Sequence, residues 1–216
     1  MYKCAIQGKE NEKGAETVSQ YNGSLTREQF MFREMRIVAR LYRQGLTDSE
    51  ILEQVCRENL FQYPTEREIK GKCKTALKRL SYIAESDTLV DILANGSPQE
   101  ARQAALVAMM AQSHLLYEFM TEVIGEKYRS LDVTFTSKDM NLFFARLCER
   151  DEGVANWSAA TVKRIKSVLM NVLRENGYLE KVGSERLCPV MVSDAFRQAL
   201  KEAGMQRFSA VFYGID

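Results

Sequence analysis

Histidine occurs once in these 216 residues, and that scarcity removes most familiar catalytic constellations. A Ser-His-Asp or Cys-His pair would have to use His114, which adjoins Leu115 and Leu116 and has no nucleophile motif beside it. A lone histidine in that setting reads as structural. The five cysteines, Cys4, Cys56, Cys73, Cys148 and Cys188, are odd in number, scattered and without a C-x-x-C pair. That pattern argues against a disulfide frame or a zinc site and for reduced thiols. G-x-x-x-x-G-K-[ST] and G-x-G-x-x-G are also missing, so nothing cradles a nucleotide. The expectation is a chain with no catalytic residue, no metal and no cofactor.

Long apolar runs are absent too. The longest, Ala104 to Met110, is too short to span a bilayer, and the first residues lack the apolar core of a signal peptide. A soluble, cytoplasmic protein is expected, with no membrane partner. Charge of one sign is lacking as well. Thirty Lys and Arg stand against 29 Asp and Glu, a net charge of +1. The whole-chain balance therefore selects no anionic partner, and any electrostatic footprint has to be local.

What the sequence does contain is helix punctuation. Residues 1–22 are polar and aperiodic and read as a flexible arm. Beyond them Thr26-x-x-Gln29, Thr47-x-x-Glu50, Thr65-x-x-Glu68 and Ser97-x-x-Glu100 fit the capping box. Pro98 takes the favoured first helical position, while Gly45 and Asn95-Gly96 supply left-handed stops. These signals predict helices near 27–44, 48–58, 66–84, 87–94, 98–112 and 114–129, joined by short loops into a bundle over 23–130. A β-like run, Leu131–Thr136, marks a boundary, and 131–216 reads as a second domain. Within it a helix is expected over 137–150 and another near 193–203, and the apolar tail Phe208–Tyr213 reads as an edge strand.

The most telling stretch is Trp157 to Pro189. Val162, Ile165, Val168, Leu169, Val172 and Leu173 share one helical face, with Ser158 as N-cap and Asn176-Gly177 as stop. Lys163, Lys166, Ser167, Asn171 and Arg174 fall on the opposite face and suit phosphate and base-edge contacts. Leu179 and Val182 then alternate with polar residues around Gly183-Ser184, a two-residue loop compatible with a type II′ hairpin that sets Lys181 nearly opposite Arg186. Helix followed by short β-hairpin is the grammar of a winged helix-turn-helix. The competing reading is an ordinary solvated helix and a hairpin that only packs, or a protein-docking module of the same shape. Trp157 is open to two readings likewise, a base-stacking aromatic or an anchor for the loop before the helix.

Two further basic stripes lie in the bundle. Arg67, Lys70, Lys74 and Lys78 share an arc of the third helix, where like charges at i,i+4 repel; Glu66 and Glu68 are read as lying off the stripe. Arg33, Arg36, Arg40 and Arg43 line the first helix and suit bidentate phosphate contacts. The alternative is neutralisation inside the fold, with Asp48, Glu50, Glu53 and Glu58 of the second helix as available partners.

The string Y-N-G-S-L-T-R-E-Q-F-M-F-R-E-M-R-I-V-A-R-L-Y-R-Q-G-L-T (21–47) resembles the opening of BrxA proteins of BREX bacteriophage-exclusion systems. E-K-Y-R (126–129) and N-W-S-A-A-T-V-K-R-I-K-S-V-L (156–169) resemble the same family, so the likeness covers most of the chain beyond residue 21. The resemblance implies a small non-enzymatic component with a helical part similar to the RNA-binding NusB antitermination fold and an association with DNA. Family members are sometimes labelled inner-membrane proteins; this sequence offers no span for that. The combined expectation is a mainly α protein, a NusB-like bundle followed by a winged-helix-like module with a short β-hairpin. It binds double-stranded DNA with little sequence specificity, alongside other BREX proteins. A protein scaffold and an RNA binder are the alternatives.

Overall fold

The computed structural model describes Tyr21, Leu25 and residues 29–214. The arm expected over 1–22 and the Thr26 cap lie outside the described residues. Helices run in the order α1 (Phe32–Arg43), α2 (Asp48–Arg57), α3 (Glu66–Ser81), α4 (Asp87–Asn95), α5 (Pro98–Gln112) and α6 (His114–Phe119). A π-turn (Met120–Gly125) passes without a break into α7 (Glu126–Arg129). Then follow α8 (Ser137–Arg150), α9 (Glu152–Ala155), α10 (Ala159–Glu175), α11 (Asp194–Glu202) and a 3-10 turn (Gln206–Val211). The Thr47–Glu50 capping box forms in both directions, and Thr65, Ser97 and Ser158 accept the backbone N–H three residues on. Ser86, Ser113, Thr136, Asp151 and Ser193 cap further helices by the same chemistry.

The bundle is α1 packed against α3 and α4, with α5 behind them. Its first helix starts later than the expected residue 27, because Met31 sits in the left-handed region at φ 55°. Arg79 supplies the cause. It is fully buried and donates NH1 to the carbonyls of Gln29 and Phe30 and Nε to Gln112. Those carbonyls are thereby taken out of any helical ladder. Gly96, expected as a left-handed stop, is extended at φ −60°, ψ 172°. Its role is close approach, since a Cβ there would lie 2.5 Å from the Ile92 carbonyl oxygen.

Thr121 donates back to the Tyr117 and Glu118 carbonyls at the mouth of the π-turn, the back-bonding that loosens a helical ladder. Gly125 ends the turn and lets the 3-10 segment sit against it. Phe208, Val211 and Phe212 are buried there, and Phe208 meets Tyr117 edge-on at 5.4 Å. The edge strand expected for this tail is therefore a 3-10 turn, whose three-residue winding puts Phe208 and Val211 on one inner face, with the extended Phe212 just after it. α11 packs on α4. The strap before it is pinned by Gln103 to the Met191 carbonyl and by Ser193 to Glu100. Tyr128 donates to the Cys188 carbonyl and accepts from Val190 N–H. One continuous apolar core thus runs beneath both halves of the chain, across the boundary expected at 131.

The described residues contain no β-strand, and the expected hairpin is not formed. Thr134 and Arg186 make an isolated antiparallel bridge, flanked by Phe135 N–H to the Glu185 carbonyl and Leu187 N–H to Val133. The segment 179–187 is a loop closed by Cys188 N–H to the Tyr178 carbonyl. Its tight turn is one residue earlier than expected. Ser184 N–H bonds the Lys181 carbonyl, so Val182 and Gly183 (φ 78°) are central. Positive φ at the second central residue splays the flanking strands instead of twisting them together. Lys181 accordingly faces Ser184, and Arg186 faces Thr134.

Lys127 joins α7 to this second half. Its half-buried Nζ lies 2.8 Å from Asp132 and 2.9 Å from Asp139, which caps α8 through Thr136. Burial pulls the Lys127 pKa down, but the two carboxylates outweigh it and the net shift is upward. The Lys127 ammonium and the Thr134 N–H and hydroxyl hold Asp132 far below the usual carboxylate range. Burial pushes Asp139 up, yet Thr136 and Lys127 bring it net below its ordinary value.

Two predictions test this frame. Gly125→Ala places a Cβ 2.7 Å from the Ala210 carbonyl oxygen and should destabilise by roughly 1–3 kcal/mol. Gly71→Ala, with open space around it in mid-α3, should stabilise by about 0.5–1 kcal/mol. Urea titrations in which Gly125→Ala is as stable as the parent or more so would refute the close packing of the tail. For the ion cluster, the depressed carboxylates contribute fully above about pH 4 and are lost as pH falls further. The raised lysine contributes below about pH 10.4 and is lost above it. Lys127→Met should thus cost roughly 1–2 kcal/mol on the plateau between, intermediate between exposed and buried pairs. A penalty equally large near pH 2.5 would mean that the lysine stem, not its charge, matters.

Candidate nucleic-acid interface

Ile165, Val168, Leu169, Val172 and Leu173 of α10 are buried. At 100° per residue their burial forces Lys163, Ser167, Asn171 and Arg174 outward. An open groove of about 830 Å³ lies along that outward face. Lys163, Lys166, Ser167, Asn171 and Arg174 line it on the helix side, and Val182 and Gly183 at the tip of the 179–187 loop form the opposite wall. All five residues picked from the helix spacing therefore share one groove. Its floor is apolar, built from Val162 and Met170, with Val182 77% exposed above it.

The polar contacts of these side chains are local. Lys166 donates to Asn141 Oδ1 at 2.7 Å and lies 5.1 Å from the centre of the Phe144 ring, so its ammonium is held against α8. Ser167 donates to the Lys163 carbonyl, and Arg174 donates to the Met170 carbonyl and to Asn171 Oδ1. Among the described residues no carboxylate forms an ion pair with Lys163, Lys166, Arg174, Lys181 or Arg186. Lys181 and Arg186 are exposed on the loop. Asn141 and Phe144 escaped the sequence reading because they belong to α8. Their spacing there signals only a core-facing phenylalanine and a surface asparagine.

The bundle stripes behave differently from one another. On α3, Arg67, Lys74 and Lys78 are exposed without an ion pair among the described residues, while Lys70 lies 2.5 Å from Glu66. Glu66 thus does sit on the stripe, one turn before Lys70, contrary to the sequence expectation. On α1, Arg33 is exposed. Arg36 donates to the Ala94 and Gly96 carbonyls, Arg40 to Ala94, and Arg43 pairs with Asp87 at 3.0 Å and Asp91 at 3.6 Å. The partners come from the C-terminus and outer face of α4, not from the acidic residues of α2.

At the C-terminal end of α10, Glu175 lies within electrostatic reach of Arg102 on α5 and Glu34 on α1. Desolvation raises the Glu175 carboxyl pKa; Arg174 and Arg102 lower it and Glu34 of α1 raises it. Trp157, half-buried, packs on the core at the entry to α10. Among the described residues no helix is long and apolar enough to cross a membrane, and no cluster of side chains could hold a metal ion.

The BrxA family model matches residues 19–204 of the chain. The BREX protein BrxA of Bacillus cereus is 30% identical over 166 residues, 77% of this chain and 82% of that protein. The BREX protein BrxA of Escherichia coli is 23% identical over 212 residues, 98% of this chain and 99% of that one. A crystal structure of an uncharacterised protein from Magnetospirillum magneticum superposes with a TM-score of 0.74 at 22% identity, covering 89% of this chain and 98% of that chain. That last similarity is one of fold. The chain belongs to the BrxA family.

Proposed function

From this family membership we propose that the protein is a non-enzymatic component of a BREX phage-defence system that binds duplex DNA, largely without regard to sequence. The observation that carries the reading is the groove along α10. Lys163, Lys166 and Arg174 line one groove, and no carboxylate among the described residues pairs with them. In a chain with a net charge of only +1, the groove is a local concentration of positive charge.

The order of elements supports a winged-helix reading. An extended run precedes α8, the short α9 leads into α10, and the loop after α10 returns beside the extended run. The B-DNA major groove, about 12 Å wide, admits one helix. With α10 lying there, Lys163, Lys166 and Arg174 meet phosphates, and the Asn171 amide and Ser167 hydroxyl reach base edges. Lys181 and Arg186 on the loop touch the adjoining backbone. The exposed Arg67, Lys74 and Lys78 of α3, in a bundle we read as NusB-like, offer a weaker secondary surface.

A scaffold role is the second reading, and the apolar floor of Val162, Met170 and Val182 favours it, because a partner's helix would bury that floor. The two part company in salt. Phosphate contacts release counterions, so log affinity for DNA falls linearly with log salt, by about 0.9 per contact.

Fluorescence anisotropy with a random-sequence duplex should show tight binding at low salt and a steep decline as salt rises. Lys163→Glu with Lys166→Glu should weaken binding by at least about tenfold and flatten the slope by roughly two contacts. No retention at low salt, or unchanged affinity in the double variant, would overturn the reading. Preference for structured RNA over duplex DNA would redirect it, since the A-form major groove is too narrow for α10.

A further inference from the structure

We propose that Arg36, Arg40 and Arg102 form a second phosphate-binding site for the same duplex, where α1, α4 and α5 meet beside the C-terminal end of α10. The proposal rests on the DNA-binding reading of the α10 groove and extends it across the junction to a residue outside the three basic stripes.

The three guanidiniums are drawn together by packing, not by acids. Arg102 lies 4.8 Å and Arg36 6.0 Å from the centre of the Phe32 ring. Arg36 and Arg40 converge on one acceptor, the Ala94 carbonyl, at 3.3 and 2.8 Å. Burial lowers the Arg36 pKa, and the charges of Arg40 and Arg102 lower it further. That is the signature of cations held within mutual repulsion. Carboxylates are available next door, but Asp87 and Asp91 pair with Arg43. No carboxylate among the described residues forms an ion pair with Arg36, Arg40 or Arg102. The C-terminal carbonyls of α4, worth about half a negative charge, and the Glu175 carboxyl, whose pKa burial raises and Arg102 lowers, offset only part of three positive charges.

Arg102 is the least occupied of the three. Its one hydrogen bond among the described residues is a long 3.4 Å contact from NH1 to the Pro98 carbonyl of its own helix. Stacked on Phe32, its planar fork is already oriented, the arrangement that favours two-point contact with a phosphate. The site adjoins the groove. Arg174 is a groove residue, and the next residue, Glu175, feels the charge of Arg102. Lys163 to Arg174 spans about 16 Å of helix, and Arg102 lies within electrostatic reach of the residue after Arg174, with the Glu175 carboxyl between the two sets of cations. A duplex seated on α10 and running past its C-terminal end would then meet both halves of the protein.

The alternative is that these arginines only cap α4 and cover Phe32. Arg102→Gln separates the two, because Arg102 does not touch α4 through a hydrogen bond. With the full chain, anisotropy titrations across a salt series should use random duplexes of about 10 and about 24 base pairs. On the longer duplex Arg102→Gln should flatten the log affinity against log salt slope by about one contact and weaken binding several-fold. On the shorter one, about 34 Å long, the change should be smaller because fewer phosphates lie beyond α10, and Arg102→Lys should keep the slope on both. A parental slope and affinity for Arg102→Gln on the long duplex, with the Lys163/Lys166 double variant still weakened, would overturn this site and leave the α10 reading standing. The reverse pattern would overturn the α10 reading and keep the arginine site; loss of neither would overturn both. Arg102→Met, which keeps a long stem over the Phe32 ring, gives the same readout should Arg102→Gln lower the melting temperature.

Discussion

The outer face of α10 depends on the burial of its inner one. Ile165, Leu169, Val172 and Leu173 have no exposed surface and Val168 only 8%, so the helix cannot roll without bringing apolar side chains into water. Each such side chain is worth roughly 1.5–3 kcal/mol of burial, far more than a surface ion pair gains at about 0–1 kcal/mol. Rotation of α10 to let Lys163 or Arg174 seek a carboxylate is therefore closed. The basic face stays where the core puts it, and Lys166 is steadied further by Asn141 and Phe144.

Near-zero net charge makes the placement of acids the second constraint. Asp132 and Asp139 hold Lys127, Glu118 and Glu122 hold Arg150, and Asp87 and Asp91 hold Arg43. Each set ties two elements together: α7 to the start of α8, α6 and the π-turn to the end of α8, and α1 to α4. These carboxylates are thus spent on joints of the fold. The cations without such duty among the described residues include those on α10, on the loop after it, on exposed α3 and around Phe32. A balanced total conceals a strongly uneven distribution, which is why composition alone says nothing about an anionic partner.

Legibility from sequence followed the range of the forces involved. Caps act over three residues, and the boundaries at Asp48, Glu66, Pro98, Ser137 and Ala159 follow from them closely. The α10 face was legible because helical periodicity alone sorts it. What failed was set by distant partners. Arg79, adjacent to the α3 stripe, turned out to hold the carbonyls of Gln29 and Phe30 and so delay α1. The hairpin failed because Arg186 finds Thr134, fifty-two positions earlier, instead of its neighbour across the turn. The tail became a 3-10 turn because Gly125 leaves room for the Ala210 carbonyl. The fate of the α1 arginines depended on α4, whose C-terminal carbonyls carry no mark in the sequence.

The link between the two halves is also long-range, and it bears on how a polyanion could be held. Tyr128 clasps the strap at Cys188 and Val190, Gln103 holds Met191, and Tyr178 reaches the Val211 carbonyl. These are bonds from buried or half-buried side chains to backbone, which fix position more firmly than exposed ion pairs because water cannot readily replace them. The consequence is that α10 and the α1–α4–α5 junction keep a fixed separation. Cations on separate tethered modules would pay the entropy of alignment each time they met a rigid duplex. On one continuous core that cost is met during folding, so even a few phosphate contacts can act together.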